Sequence, residues 1–81
     1  MWQASAMRRY YFDMRVGDDL GEDEEGADLP DLDAVQKEAL RFLADMAKEL
    51  IAFPASMSVE VRDDVGPVMD ARVVFDIHRT N

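Results

Sequence analysis

Between Gly17 and Asp33 the chain carries nine carboxylates, Asp18, Asp19, Glu22, Asp23, Glu24, Glu25, Asp28, Asp31 and Asp33, with no Lys or Arg among them. Dense oxygen ligands of this kind suit hard divalent cations such as Ca²⁺ or Mg²⁺. The spacing does not suit an EF-hand loop. With Gly26 at the turn position, the loop requires an acid where Gly21 stands and a closing Glu where Leu32 stands; with Gly21 there, it requires an acid at Val16. Paired carboxyls also serve acid–base catalysis, but one of them must then be partly buried with a shifted pKa, and a glycine-rich segment is a poor place to hold it. The expectation is no metal, and a solvated acidic loop at residues 17–28 that attracts a basic partner.

The remaining inventory for chemistry is thin. His78 is the only imidazole, near the end of the chain on the exposed side of an alternating segment. A nucleophile needs an oriented base within hydrogen-bond reach, and Ser5, Ser56 and Ser58 qualify by residue type alone. With no cysteine, disulfides, thiolate metal sites and cysteine nucleophiles are excluded. Gly17, Gly21 and Gly26 form no phosphate-binding pattern, and the acids around them repel phosphate. In Tyr10-Tyr11-Phe12 alternation sends Tyr10 and Phe12 inward, so core packing outweighs base stacking. No catalytic residue, no cofactor and no enzyme activity are expected.

The elements that must position these residues follow from periodicity. Arg8 to Val16 alternates, with Tyr10, Phe12, Met14 and Val16 on one face, as a half-buried strand does. Gly17 to Gly26 has three glycines and no apolar period, and reads as loop or disorder. A short extended piece fits Ala27 to Leu29. Pro30 leads into a helix capped by Asp31 or Asp33, with Val35, Ala39, Phe42, Leu43, Met46, Ala47 and Leu50 at three- and four-residue spacing. Pro54 places its end near Ala52. Met57, Val59 and Val61 alternate next, the turn Asp63-Asp64-Val65-Gly66-Pro67 follows, and Met69, Ala71, Val73, Phe75 and Ile77 alternate after it, which makes a hairpin.

These elements predict an α+β domain: a three-stranded antiparallel sheet of β-α-β-β connectivity and order 1-3-2, with one amphipathic helix on one face. The longest strand, the last, is placed centrally, and a right-handed crossover joins the outer two. The predicted core is Tyr10, Phe12, Met14, Val35, Phe42, Leu43, Met46, Leu50, Val59, Val61, Val73, Phe75 and Ile77. The opposite sheet face carries mixed charge, in which Tyr11, Arg72 and Val74 stand with the acidic loop as candidate partner-binding residues.

The formal net charge is −9, and it is local, because the rest of the chain balances its acids with its nine bases. Scattered bases and an acidic segment argue against nucleic acid as a partner. No apolar run reaches the roughly 18 residues of a membrane span, and no secretory signal opens the chain, so a cytoplasmic protein that leaves the membrane alone is expected. At 81 residues there is room for one core of modest stability, which favours self-association.

In order along the chain, Arg9-Tyr10-Tyr11-Phe12-Asp13, Asp23-Glu24-Glu25-Gly26, Leu29-Pro30-Asp31-Leu32 with an Ala-rich helix, and Val59-Glu60-Val61-Arg62-Asp63-Asp64-Val65-Gly66 resemble a family of small alphaproteobacterial proteins, common in rhizobia, described as a domain of unknown function. The resemblance spans Met7 to Ile77 and implies a start at Met7, with residues 1–6 an extension before one domain at 7–79. It carries no known activity or site residues. The strand, the acidic Pro-Asp-Leu segment and the helix are also similar to HicB-type antitoxin domains, although the early hairpin of those domains is replaced here by the acidic loop and no DNA-binding tail follows.

Two functions remain in view. The first is a non-enzymatic interaction module, a homodimer or adaptor for a protein partner, in which Asp18, Asp19, Glu22, Asp23, Glu24 and Glu25 meet a basic surface. The second is an antitoxin-like inhibitor whose acids imitate RNA and cover the cleft of a small basic ribonuclease.

Overall fold

Alternation makes the first strand as expected: in β1 (Arg8–Val16), Tyr10 and Phe12 are buried and Met14 and Val16 partly so, all on the core face. The computed structural model describes residues 7–49 and 56–80. The expected loop after β1 is instead a hairpin. Gly17 has a φ of 59° while, among the described residues, no non-glycine residue has a positive φ, which is the signature of a type II′ turn with Gly first and Asp18 second. β2 (Asp19–Gly21) then returns antiparallel to Met14–Val16. Low strand propensity in Asp and Gly hides this element, but main-chain pairing along an edge needs only the turn.

The short extended piece is present as β3 (Ala27–Leu29), antiparallel to Arg8–Tyr10. α1 (Leu32–Glu49) follows. Of the two candidate caps, Asp31 is the one used: its Oδ1 accepts the Ala34 N–H at 2.8 Å and its carbonyl accepts that of Val35 at 3.2 Å. Leu50, the helix end near Ala52 and the extension at 1–6 lie outside the described residues.

β4 (Ser56–Arg62) and β5 (Pro67–Val74) form the expected hairpin, and its turn is closed by Asp63, whose Oδ1 accepts the Val65 and Gly66 N–H groups. The sheet has five strands rather than three, ordered β2-β1-β4-β5, with β3 further along β1. The strand order 1-3-2 is thus overturned. β4, not the last strand, is central, with Met57, Ser58, Val59 and Val61 buried. The missed hairpin is the reason. Reversal at Gly17 sets β3 antiparallel to β1, the helical return makes β4 parallel to β3, and β4 is therefore antiparallel to β1 and pairs with it directly.

The core consists of Tyr10, Phe12, Val35, Ala39, Leu43, Met57, Val59 and Val61. Phe42, Met46, Val73 and Phe75 are only partly buried. Ile77 is 67 % exposed, contrary to expectation, because β5 ends at Val74. Ala39 and Met57 are core positions that the expected set lacked. α1 lies over β4 and β5 and touches β1 through Phe42, whose ring centroid is 5.2 Å from that of Phe12.

Candidate functional site

The acidic segment is tied down, and Asp23 is its centre. β2 and β3 leave the Phe12 N–H between them without a strand partner, and Asp23 Oδ2 accepts it at 3.1 Å. Oδ1 of the same carboxylate accepts the N–H groups of Glu25 and Gly26 at 3.0 and 3.1 Å. The Asp23 N–H donates to Asp13 Oδ1 at 2.9 Å. Burial opposes ionisation of Asp23, but the Phe12, Gly26 and Glu25 N–H groups and the Arg62 cation outweigh it and hold its pKa below the usual carboxylate value.

Two guanidinium groups clamp the segment from outside. Arg62 donates from Nε to Asp13 Oδ2 at 2.9 Å and from Nη2 to the Asp23 carbonyl at 3.0 Å, and it lies 4.6 Å over the Tyr11 ring centroid. The hydrogen bond to Asp13, more than the nearby charges, raises its pKa. Arg9 forks onto Asp28 at 3.0 and 3.1 Å and reaches the Glu25 carbonyl at 2.8 Å. Gly26, at φ 75°, fits where a Cβ would stand 2.9 Å from the Tyr10 carbonyl oxygen. The segment expected to be a solvated loop is therefore built on the sheet edge.

This arrangement sorts the predicted partner-binding residues. Asp18, Asp19, Glu22, Glu24 and Glu25 are exposed, whereas Asp23 is spent on backbone donors. Tyr11 lies under Arg62, and Arg72 and Val74 are exposed on β5 at the other edge of the sheet. The expected residues thus do not form one patch. The open face also carries the Arg15–Glu60 pair, 2.8 Å apart. His78 is exposed, with its ring 3.2 Å from the Asp76 carboxylate. Among the described residues no group of three or more His, Cys, Asp or Glu is placed to hold a metal.

What the sequence reading missed is a groove. Because α1 sits over β4 and β5, the core face of β1 is left partly open toward β2. A cavity of about 440 Å³ lies there, floored by Phe12, Met14, Ala27 and Phe42 and rimmed by Glu22, Asp23 and Glu25. It shares Met14 and Phe42 with a second depression of about 330 Å³, which adds Val16 and Met46 to the floor and Asp45 and Glu49 to the rim. Among the described residues no salt bridge reaches Glu22, Glu25 or Glu49, and Asp45 has only a 3.8 Å contact with Arg41. The signal for it was the row of acids, Glu38, Asp45 and Glu49, flanking Phe42 on the helix.

Residues 9–76 match the model of a family described as a domain of unknown function, DUF6894, and the chain belongs to that family. No curated protein and no solved structure matches it. Among the described residues no helix is long and apolar enough to cross a membrane.

Proposed function

We propose that this member of the DUF6894 family is a non-enzymatic protein-interaction module that receives a basic, amphipathic segment of a partner protein in the groove between α1 and the β1–β2 hairpin. One observation carries the reading: an apolar floor of Phe12, Met14, Phe42 and Met46 is bordered on both sides by carboxylates, Glu22 and Glu25 on the acidic segment and Asp45 and Glu49 on the helix. The complement of such a groove is a helix with an apolar stripe between Lys or Arg residues, which lays its stripe on the floor and its cations on the rim. Met and aromatic side chains re-pack readily around different apolar residues. Arg41, 5.1 Å over the Phe42 ring and in contact with Asp45, is the cation beside the floor, and the excess of carboxylates on the rim steers a cationic partner whose hold weakens as salt rises.

The test is fluorescence anisotropy with a labelled Leu/Lys peptide designed as an amphipathic helix, its scrambled isomer of equal composition, and a Leu/Glu counterpart. The amphipathic Leu/Lys peptide should bind, lose affinity with salt, and fail on a Glu22→Lys/Glu25→Lys variant. Equal binding of the scrambled isomer, or indifference to the charge reversal, refutes the reading.

A further inference from the structure

We infer that β5 is a homodimerisation edge, and that two copies pair through it antiparallel about a twofold axis at Ala71, joining their sheets into one. This goes beyond the groove and uses the opposite end of the sheet.

The hydrogen-bond phase of the sheet shows which groups are free. The Gly17 N–H donates to the Ser56 carbonyl, so even-numbered residues of β4 face β1 and odd-numbered ones face β5. The register Val59↔Ala71 and Met57↔Val73 then turns the N–H and C=O groups of Asp70, Arg72 and Val74 toward the outer edge. Among the described residues no strand pairs that edge. Pro67 and the irregular pairing at Val61/Arg62 guard only its beginning, and Asp70–Val74 contains neither Pro nor Lys; its two charges, Asp70 and Arg72, are of opposite sign and so complement a second copy of the same edge.

The side chains choose the partner and the register. About Ala71, Asp70 of each copy lies opposite Arg72 of the other in a hydrogen-bonded pair, twice per dimer. Met69 meets Val73 on the core side, and Val74, which is 70 % exposed in the single chain, is brought toward the start of the other copy's β5. Centring on Asp70 or Arg72 sets like charges face to face, and centring on Val73 opposes Asp70 to Asp76, so the charges favour Ala71 among these registers. Asp70 and Arg72 have only a 3.8 Å contact with each other in the single chain and are both well exposed. Leu40, 52 % exposed, stands on the flank of α1 opposite Phe42, which faces β1, and so offers apolar surface on the side away from β1. The acidic segments then stand at the two far edges of the joined sheet, roughly 33 Å apart at about 4.8 Å per strand, well beyond the screening length of about 10 Å at 0.1 M salt.

The test reads the oligomeric state of the full chain by sedimentation and light scattering, for the wild type and for Asp70→Arg, Asp70→Arg/Arg72→Asp and Ala71→Cys. A wild-type dimer should weaken by on the order of tenfold in Asp70→Arg, where two attractive pairs become repulsive, and recover in the double swap. Because the chain has no cysteine of its own, Ala71→Cys should form a cross-linked dimer on oxidation, as opposed residues at a non-hydrogen-bonded position stand about 4.5 Å apart at Cα. Circular dichroism establishes that each variant is folded, and the double swap separates a register effect from general destabilisation. A wild type monomeric at the highest soluble concentration, a dimer indifferent to Asp70→Arg, a double swap that fails to recover, or no cross-link at Ala71→Cys each overturns the inference.

Discussion

The Asp23 side chain accepts three backbone hydrogen bonds and donates none. In Asp23→Asn an amide nitrogen must face one of these donors, most directly the Phe12 N–H, and the unfolding free energy measured in urea should fall by about 1–3 kcal/mol. The same carboxylate predicts a pH dependence. Despite burial, backbone donors and Arg62 place its folded pKa below the ordinary 3.8, and the Gly66 and Val65 N–H groups do the same for Asp63. A depressed carboxylate stabilises fully above its unfolded pKa and loses that contribution as the pH falls through the folded one. Stability should therefore decline below a pH of roughly 4, less steeply in Asp23→Asn than in the wild type. Gly26→Ala should lower the melting temperature more than Gly17→Ala: both have positive φ, but only at Gly26 does an added Cβ meet backbone, whereas Gly17 has open space around it. None of this was legible from composition. Asp23 looks like Glu22, Glu24 and Glu25 in the sequence, and it differs only because two short strands leave one N–H of β1 within its reach.

At the scale of elements, alternation in Arg8–Val16 and Ser56–Arg62 and the helical spacing from Val35 to Met46 were legible because burial on one face imposes those periods. Ala27–Leu29 and a helix cap at Asp31 or Asp33 were legible from local chemistry, and the structure selects Asp31. Strand order was not, because it depends on the direction of the chain after Gly17. The Gly-first pair Gly17-Asp18 is a two-residue hairpin signal, but the acids and glycines around it obscured the return strand. The groove was hidden for a related reason: Met14, Phe42 and Met46 have core periodicity, and only the lateral position of α1 shows that they are partly open. The corrected order has measurable consequences. Met57→Ala, a buried position near the start of β4, should cost about 2–5 kcal/mol, while Ile77→Ala, beyond the end of β5, should stay within about 0.5 kcal/mol. Amide exchange should be slowest in β4, which is paired on both sides, and fast in β2.

For the molecule as a whole, the charge of −9 is concentrated along one sheet edge. The exposed carboxylates of Asp18, Asp19, Glu22, Glu24 and Glu25 repel one another in the folded state, so the melting temperature should rise as salt is added from low ionic strength, before screening also weakens the Arg9 and Arg62 pairs. A fall throughout the titration would show that these pairs dominate. Localised charge was legible in the sequence; its attachment was not, since that depends on Arg62, which stands 49 residues after Asp13 and 39 after Asp23. This distance gives the clamp a place in time. The β1–β2 hairpin, closed by a two-residue turn, is able to form within microseconds once its residues have left the ribosome. Asp23 and Arg9 are able to fasten Glu22–Gly26 to β1 at that stage, whereas the Arg62 clamp has to wait for the end of β4 to be synthesised and docked, so a nascent protein stalled before Arg62 carries the acidic edge with one of its two guanidinium latches open.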